Sequence, residues 1–150
     1  MVKKKIIVFT GGTWDLFHAG HLNVLKKSKK LGDILIVGIS TNKLIKQYKG
    51  TNPVLTYNQR KAIIKELKCV DVVVKQNNIF DVEQFLALKG DIFVVGNDWK
   101  GKEDKVTGLK WLKDNGYLRY VPYTKGLSSS MIKEKIIRNA VEIIKSQVKR

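Results

Sequence analysis

Five short apolar runs, each followed by a segment with helical spacing, constrain this chain more than any other feature. The runs are "KIIVFT" (5–10), "DILIVGIS" (33–40), "VDVVVK" (70–75), "DIFVVG" (91–96) and "YLRYVPY" (117–123). They are rich in β-branched and aromatic residues and bounded by Gly, Asp or Asn, which reads as strands. The first four are nearly continuous in apolar character, as parallel strands covered on both faces must be. Strand and helix alternating five times predicts an α/β fold, a Rossmann-like doubly wound parallel five-stranded sheet with helices on both faces.

The helical segments carry their own punctuation. "HLNVLKKSKKLG" places Leu22, Leu25 and Leu31 along one side and ends on Gly32, a C-cap residue type. "TYNQRKAIIKELK" opens on a capping box of Thr56 and Gln59 and turns Ile63, Ile64 and Leu67 inward. "FDVEQFLALKG" has Asp81 as N-cap and Gly90 as stop, and "EDKVTGLKWLKDNG" keeps Val106, Leu109 and Leu112 in helical register before Asn115-Gly116. In "SSSMIKEKIIRNAVEIIKSQVKR" a serine cap precedes Met131, Ile132, Ile136, Ile137, Ala140, Val141 and Ile144. The longest stretch without strong structure is 41–55, a candidate functional loop. No repeat or linker interrupts the pattern, so residues 1–150 are expected to be a single domain.

Composition matters mainly for what it excludes. No apolar stretch is long enough to cross a bilayer, and the first residues have too short an apolar core for a secretory signal. A single cysteine, Cys69, rules out an internal disulfide framework and any multi-cysteine zinc site. A cytoplasmic protein without membrane insertion is expected. The formal net charge of +16 suggests nucleic acid. However, Arg60, Arg119, Arg138 and Arg150 are the only arginines, and the lysines are scattered through every segment, which describes a solvated surface better than a binding stripe. Such a surface still concentrates small phosphorylated substrates.

The loop after the first strand is where an open α/β sheet binds ligands. Here it reads "TGGTWDLFHAGH", and it holds both histidines of the chain, His18 and His21. Gly11 and Gly12 allow close approach of the backbone to a ligand, and the helix beginning near Ala19 offers its N-terminal amides to an anion. There is no G-x-G-x-x-G after the first strand and no G-x-x-x-x-G-K-S/T, so a dinucleotide cofactor and a P-loop site are not indicated. Two imidazoles three residues apart at a helix start suit an oxyanion such as a phosphate in transfer. A metal pair is less suited, because His-x-x-His with Asp15 lacks a third strong ligand. Asp15 reads equally as a turn residue and Trp14 as a packing aromatic.

These residues resemble a known family. "GGTWDLFHAGH" is similar to the G-T-F-D-x-x-H-x-G-H signature of the cytidylyltransferase-like nucleotidyltransferases. Further resemblance lies in "LGDILIVGIST", in "YKG" with "YNQRKAII" and "CVDVVV", in "VVGNDWKGK" against G-D-D-W-x-G-K, and in "TKGLSSSMIKEKI" against R-T-x-G-I-S-T-T-x-I. The resemblance implies transfer of CMP from CTP to a phosphorylated alcohol with release of pyrophosphate, usually with Mg²⁺, and is strongest to the members acting on glycerol 3-phosphate. It implies that His18, His21 and Lys49 are catalytic, and that Thr13, Trp14, Gly20, Asp98, Ser128 and Ser129 bind the nucleotide. Asp15, Lys46, Arg60, Trp99 and Lys125 are then the acceptor residues, and no protein side chain is assigned to metal.

It also implies a homodimer, with Lys68 where relatives have an arginine at the subunit contact. Phosphocholine, phosphoethanolamine or a sugar phosphate as acceptor, ATP as donor, and a basic nucleic-acid-binding protein are the rival readings. Three departures stand out. Tyr123 takes the place of the arginine that opens the last motif, with Lys125 two residues on as its candidate replacement. Asn97 takes the place of the first acid of G-D-D-W, and Trp14 that of a phenylalanine.

Overall fold

The five expected strands form one sheet, parallel throughout: β1 (Ile7–Gly12), β2 (Ile34–Ser40), β3 (Val72–Gln76), β4 (Ile92–Gly96) and β5 (Leu118–Val121), in the order β3-β2-β1-β4-β5. This is the doubly wound order, with β1 central and the chain direction switching beside it. A computed structural model describes residues 2–149. Met1 and Arg150, which the single domain expected over 1–150 includes, lie outside the described residues.

Because side chains alternate along a strand, neighbouring residues of β1 serve opposite faces. Val8 packs with Leu35, Val37 and Val94 under α1 (Ala19–Lys29) and α3 (Tyr57–Ile64), through Val24, Leu25 and Ile64. Phe9 packs with Ile36, Phe93 and Val95 under α4 (Val82–Ala87) and α5 (Thr107–Asp114), through Phe85, Leu109 and Leu112. Helices therefore cover both faces. An aspartate standing just before each of three strands fixes the register. Asp33 accepts Ile6 N–H at 2.8 Å, Asp71 accepts Leu35 N–H at 2.7 Å and Asp91 accepts Ile7 N–H at 2.9 Å.

Several local expectations need correction. The segment 41–55 is not a loop throughout, because α2 (Asn42–Lys49) occupies its first half, capped by the Thr41 hydroxyl on Leu44 N–H at 3.1 Å and ended by Gly50 at φ 76°. Gly32 is not the C-cap of α1. Lys30 holds that position, and Gly32 instead lets the chain pass Ile6 and Val8, which a Cβ would strike. Gly90 does serve as the stop of α4, two residues past the C-cap Leu88: after left-handed Lys89 its N–H donates to Phe85 O at 3.0 Å, and it lies under the Phe85 ring.

The last helix, α6 (Ser129–Val148), has an amphipathic sequence but not one buried residue. Among the described residues no helix is long and apolar enough to cross a membrane.

Candidate active site

The carboxyl ends of β1 to β4, with Tyr123 just past the end of β5, open into one cleft of about 550 Å³. Its walls come from the loop after β1, the end of α2, the segment after β4 and the start of α6. The loop after β1 is tightly wound. Trp14 and Leu16 both have positive φ, 56° and 49°, a conformation that costs a side-chain-bearing residue of order 1 kcal/mol or more. Trp14 is held there by an indole N–H bond of 3.0 Å to Gly38 O, which makes it a packing residue as well as part of the cleft wall. The two glycines serve the protein's own side chains. A Cβ on Gly11 would strike the Gln76 amide and one on Gly12 the Trp14 ring.

His18 is the N-cap of α1, its Nδ1 accepting Gly20 N–H at 3.0 Å and His21 N–H at 3.4 Å. His21 Nδ1 accepts His18 N–H at 3.4 Å, completing a capping box built from two histidines. With both Nδ1 atoms accepting, the hydrogen-bond pattern assigns each ring proton to Nε2. The rings stack with centroids 3.8 Å apart, His21 on the cleft wall and His18 behind it. His18 Nε2 is buried and has no partner among the described residues. Gly20, expected to meet the nucleotide, does not reach the cleft wall. It is a glycine because a Cβ would meet the His18 ring at 2.8 Å.

Burial, then the neighbouring His18 and Lys49, pushes the His21 imidazole down to about 4, and burial also lowers His18. Both rings are therefore neutral N–H donors at pH 7. The unfolded chain protonates these groups near 6.5, so between 6.5 and about 4 it binds more protons than the folded protein, and stability falls as the pH drops through that window. The urea midpoint is expected to decline from pH 6.5 to 4 through the histidines, and to go on falling below that as Asp71, Asp91 and Glu103, whose carboxyls the fold holds below their ordinary values, take up protons. His21→Asn, which keeps an acceptor for His18 N–H but does not titrate, should flatten the decline. An equally steep decline in that variant would show that other groups cause it.

Lys49, in the last turn of α2, lines the cleft. Burial first, then Lys133, lowers its pKa, while Asp15 opposes. Lys46 lies one turn earlier, exposed and off the cleft wall. Sequence reasoning missed Lys133. It comes from the first turns of α6, lines the cleft and sets its ammonium 3.7 Å from Asp15. Nothing in its local pattern separates it from the other lysines of the tail.

Lys125, expected to stand in for the missing arginine, is exposed and is not part of the cleft wall. The wall position is taken by Tyr123, whose ring lies over Gly96 where any Cβ would collide with it. Burial of its hydroxyl end, then Asp98, pushes that phenol up to about 12.

Asp15 is buried, and its carboxylate accepts Val54 N–H at 2.7 Å and Leu55 N–H at 2.8 Å, pinning the loop after α2 to the loop after β1. Arg60 is fully buried. Its guanidinium donates to Thr13 O at 2.7 Å, Ser40 O at 2.8 Å and Asn42 Oδ1 at 2.7 Å, so no face of it is turned to a ligand. The acceptor contact expected of Arg60 is replaced by a positioning role.

Thr13 shares a hydrogen bond of 2.6 Å with the Tyr48 hydroxyl. Ser128 spends its hydroxyl capping α6 at Met131 N–H, 3.1 Å away. Ser129 donates to Asp15 O at 2.7 Å and reaches the cleft, as does Ser130. Asp98 and Trp99 are on the opposite wall, Trp99 edge-on to Phe80 at 4.7 Å. The segment carrying them is anchored at its far end by Glu103, buried and bonded to the Tyr120 hydroxyl, with Lys113 at 3.4 Å. Among the described residues no group of three or more His, Cys, Asp or Glu could hold a metal ion.

Known proteins share both sequence and fold with this chain. The family described as cytidylyltransferase-like matches residues 9–135. Glycerol-3-phosphate cytidylyltransferase of Bacillus subtilis (strain 168) is 40% identical over 136 residues, covering 89% of this chain and 97% of that protein. The bifunctional protein HldE of Helicobacter pylori (strain G27) is 41% identical over 133 residues, 88% of this chain but 28% of that longer protein. Among solved structures, the lipopolysaccharide core biosynthesis protein from Thermoplasma volcanium GSS1 superposes with a TM-score of 0.66 at 31% identity, covering 81% of this chain and 98% of that one.

Proposed function

The chain belongs to the cytidylyltransferase-like family and is a nucleotidyltransferase, and from that premise we propose that it transfers CMP from CTP to a phosphorylated alcohol, glycerol 3-phosphate first among them. A phosphate oxygen of the acceptor attacks the α-phosphorus of CTP, the bond from that phosphorus to the bridging oxygen breaks, and pyrophosphate leaves with the electron pair. The reaction needs little covalent chemistry from the protein, so positioning and charge stabilisation carry it.

The observation that supports this best is the stacked histidine pair. Two neutral imidazoles, each fixed by a backbone N–H on Nδ1, present Nε2–H donors beside a cleft that also holds Lys49 and Lys133. Donors already oriented before charge develops need no reorganisation in the transition state. In this reading Lys49 and Lys133 hold the triphosphate from two sides, Ser129 and Ser130 with the α6 amides take its far phosphates, and Asp98 and Trp99 line the pocket for base or acceptor. Mg²⁺ fits the donor set as a companion of the triphosphate rather than a resident of the protein. Asp15 is committed to backbone amides, and Asp98 is the carboxylate left open to the cleft. Bound there, the ion would neutralise phosphate charge. We further place the activity in the cytoplasm, in a single domain.

Glycerol 3-phosphate is favoured by the name of the Bacillus relative, of which this chain spans nearly the whole length. A sugar phosphate is the second reading, favoured by the lipopolysaccharide-core name of the Thermoplasma protein. Pyrophosphate release, measured for each of the four nucleoside triphosphates against a panel of phosphorylated alcohols and sugars, separates them. CTP with glycerol 3-phosphate should release pyrophosphate at least about tenfold faster than other pairs, because a site built to pair polar groups rejects a poor fit strongly. Preference for ATP would overturn the donor assignment, and preference for a sugar phosphate the acceptor.

A further inference from the structure

Three polar side chains of the strands themselves line the cleft, Thr10, Ser40 and Gln76, each no more than 4% exposed. Two of them are spent. The Thr10 hydroxyl donates to Val94 O at 3.1 Å, and the Ser40 hydroxyl donates to Gln76 Oε1 at 3.2 Å. The second bond leaves both Nε2–H donors of the Gln76 amide without a partner among the described residues. Gln76 ends the edge strand β3, yet its amide lies two strands inward, over Gly11 at the end of β1, where any Cβ would strike it. The central strand thus gives up a side chain to seat this one.

Because residues alternate along β1, Gly11 belongs to the face of Phe9, opposite the face on which Val8 packs under α1. His21 comes from α1, and the chain entering α6 lies beside that helix, where Asn23 donates to the Thr124 hydroxyl at 2.9 Å. The histidines and the start of α6, assigned above to the triphosphate, are therefore across the tip of β1 from the Gln76 amide. In an in-line displacement the attacking oxygen enters opposite the leaving pyrophosphate. The acceptor accordingly approaches from the side of Gln76.

We propose that Gln76 is a specificity-determining residue for the acceptor, its amide donating to a hydroxyl oxygen on the carbon chain of the phosphorylated alcohol. This rests on the transfer to a phosphorylated alcohol proposed above and adds how the alcohol is chosen. On glycerol 3-phosphate or a sugar phosphate the amide donor has an oxygen to meet. On phosphocholine it faces a methylated ammonium, and on phosphoethanolamine another donor, so it stays unpaired in both. Ile79 and Phe80, which follow β3 into the cleft wall, and Trp99 edge-on to Phe80 give that part of the cleft an apolar lining, where an unpaired donor costs most.

Pyrophosphate release with CTP tests this by comparing glycerol 3-phosphate with n-propyl phosphate, the same carbon chain without hydroxyls. In the wild type kcat/KM should favour glycerol 3-phosphate about 10- to 100-fold. In Gln76→Met, which keeps the length of the side chain and loses its donors, that ratio should fall to within about threefold, with KM for CTP shifting less than about threefold. Gln76→Glu keeps an acceptor for the Ser40 hydroxyl and sets a carboxylate where the donors were. It should raise phosphoethanolamine relative to glycerol 3-phosphate at least about tenfold over the wild type. Each ratio compares two acceptors on one preparation, so a loss of folded protein cancels.

A Gln76→Met protein that keeps the wild-type ratio, or that changes KM for CTP alone, overturns the proposal. So does a wild type that uses phosphoethanolamine or n-propyl phosphate as well as glycerol 3-phosphate. Failure of the function proposed above looks different, because the wild type is then inactive with every phosphorylated alcohol. Quenching of tryptophan fluorescence by glycerol 3-phosphate and by n-propyl phosphate, in the wild type and in Gln76→Met, decides the role of Gln76 in that event as well: equal affinities in the wild type overturn it.

Discussion

The His18→Asn protein is expected to turn over its substrates about 100- to 1,000-fold more slowly than the wild type, the loss seen when one oriented donor to a developing oxyanion is removed. It should also melt within about 2 °C of the wild type, because asparagine is as good an N-cap as the residue needs to be. The pairing of results matters. His18 does two things with its two ring nitrogens: Nδ1 caps α1 through Gly20 and His21 N–H, and Nε2 is buried without a partner among the described residues. An unpartnered buried donor costs roughly 1–3 kcal/mol, which a phosphate oxygen would repay on binding. Asparagine keeps the acceptor and discards the Nε2 donor. His18→Ala discards both, and should lose a similar amount of turnover with about 1 kcal/mol of stability besides.

Full activity in His18→Asn with none in His18→Ala would mean that only the cap matters and that Nε2 takes no part. Activity within about threefold of wild type in both would remove His18 from the chemistry altogether, leaving the reaction to His21, Lys49 and Lys133.

The strands and most helices were legible because their signals are local. A run such as "DILIVG" has few options besides a strand covered on both faces, and Thr56 with Gln59 or Asp81 before "VEQF" caps a helix within a few residues. The helix α2 was missed because only Leu44 and Ile45 of its eight residues are buried, and lysines and a glutamine mask so short a period. Thr41 as N-cap and Gly50 as left-handed stop were the signals that could have found it.

The histidine pair, Lys49, Ser129, Asp98 and Trp99 were legible through a recognisable signature, and the fold brings them to one cleft or directly behind its wall. What escaped depends on residues far apart in sequence. Gly11 is explained by Gln76, on a strand two elements of the sheet away, and Lys133 by Asp15, more than a hundred residues earlier. Arg60 shows the limit most clearly. An arginine near a phosphate signature reads as a phosphate ligand until its burial is known.

Arg60→Ala is accordingly expected to act on the fold before it acts on any substrate. The guanidinium is fully buried and ties three segments: Thr13 O in the loop after β1, Ser40 O at the end of β2, and Asn42 at the start of α2, with its own Leu55 O at 3.3 Å. Removing it leaves those acceptors facing a cavity, at a combined cost of about 3–5 kcal/mol. In a chain of this size that lowers the melting temperature by roughly 10 °C, read in the absence of any ligand. Arg60→Lys should recover little, because an ammonium cannot reproduce a planar fork serving carbonyls on separate segments.

The two carbonyls and Asn42 position the wall that carries Thr13 and Tyr48, so Michaelis constants for both substrates should rise together in whatever fraction remains folded. A variant that kept its melting temperature and lost affinity for the acceptor alone would instead make Arg60 a ligand of the acceptor phosphate, which its position beneath Thr13 and Ser40 does not allow without movement of α2. The stability loss, measured first and without substrate, decides between the two.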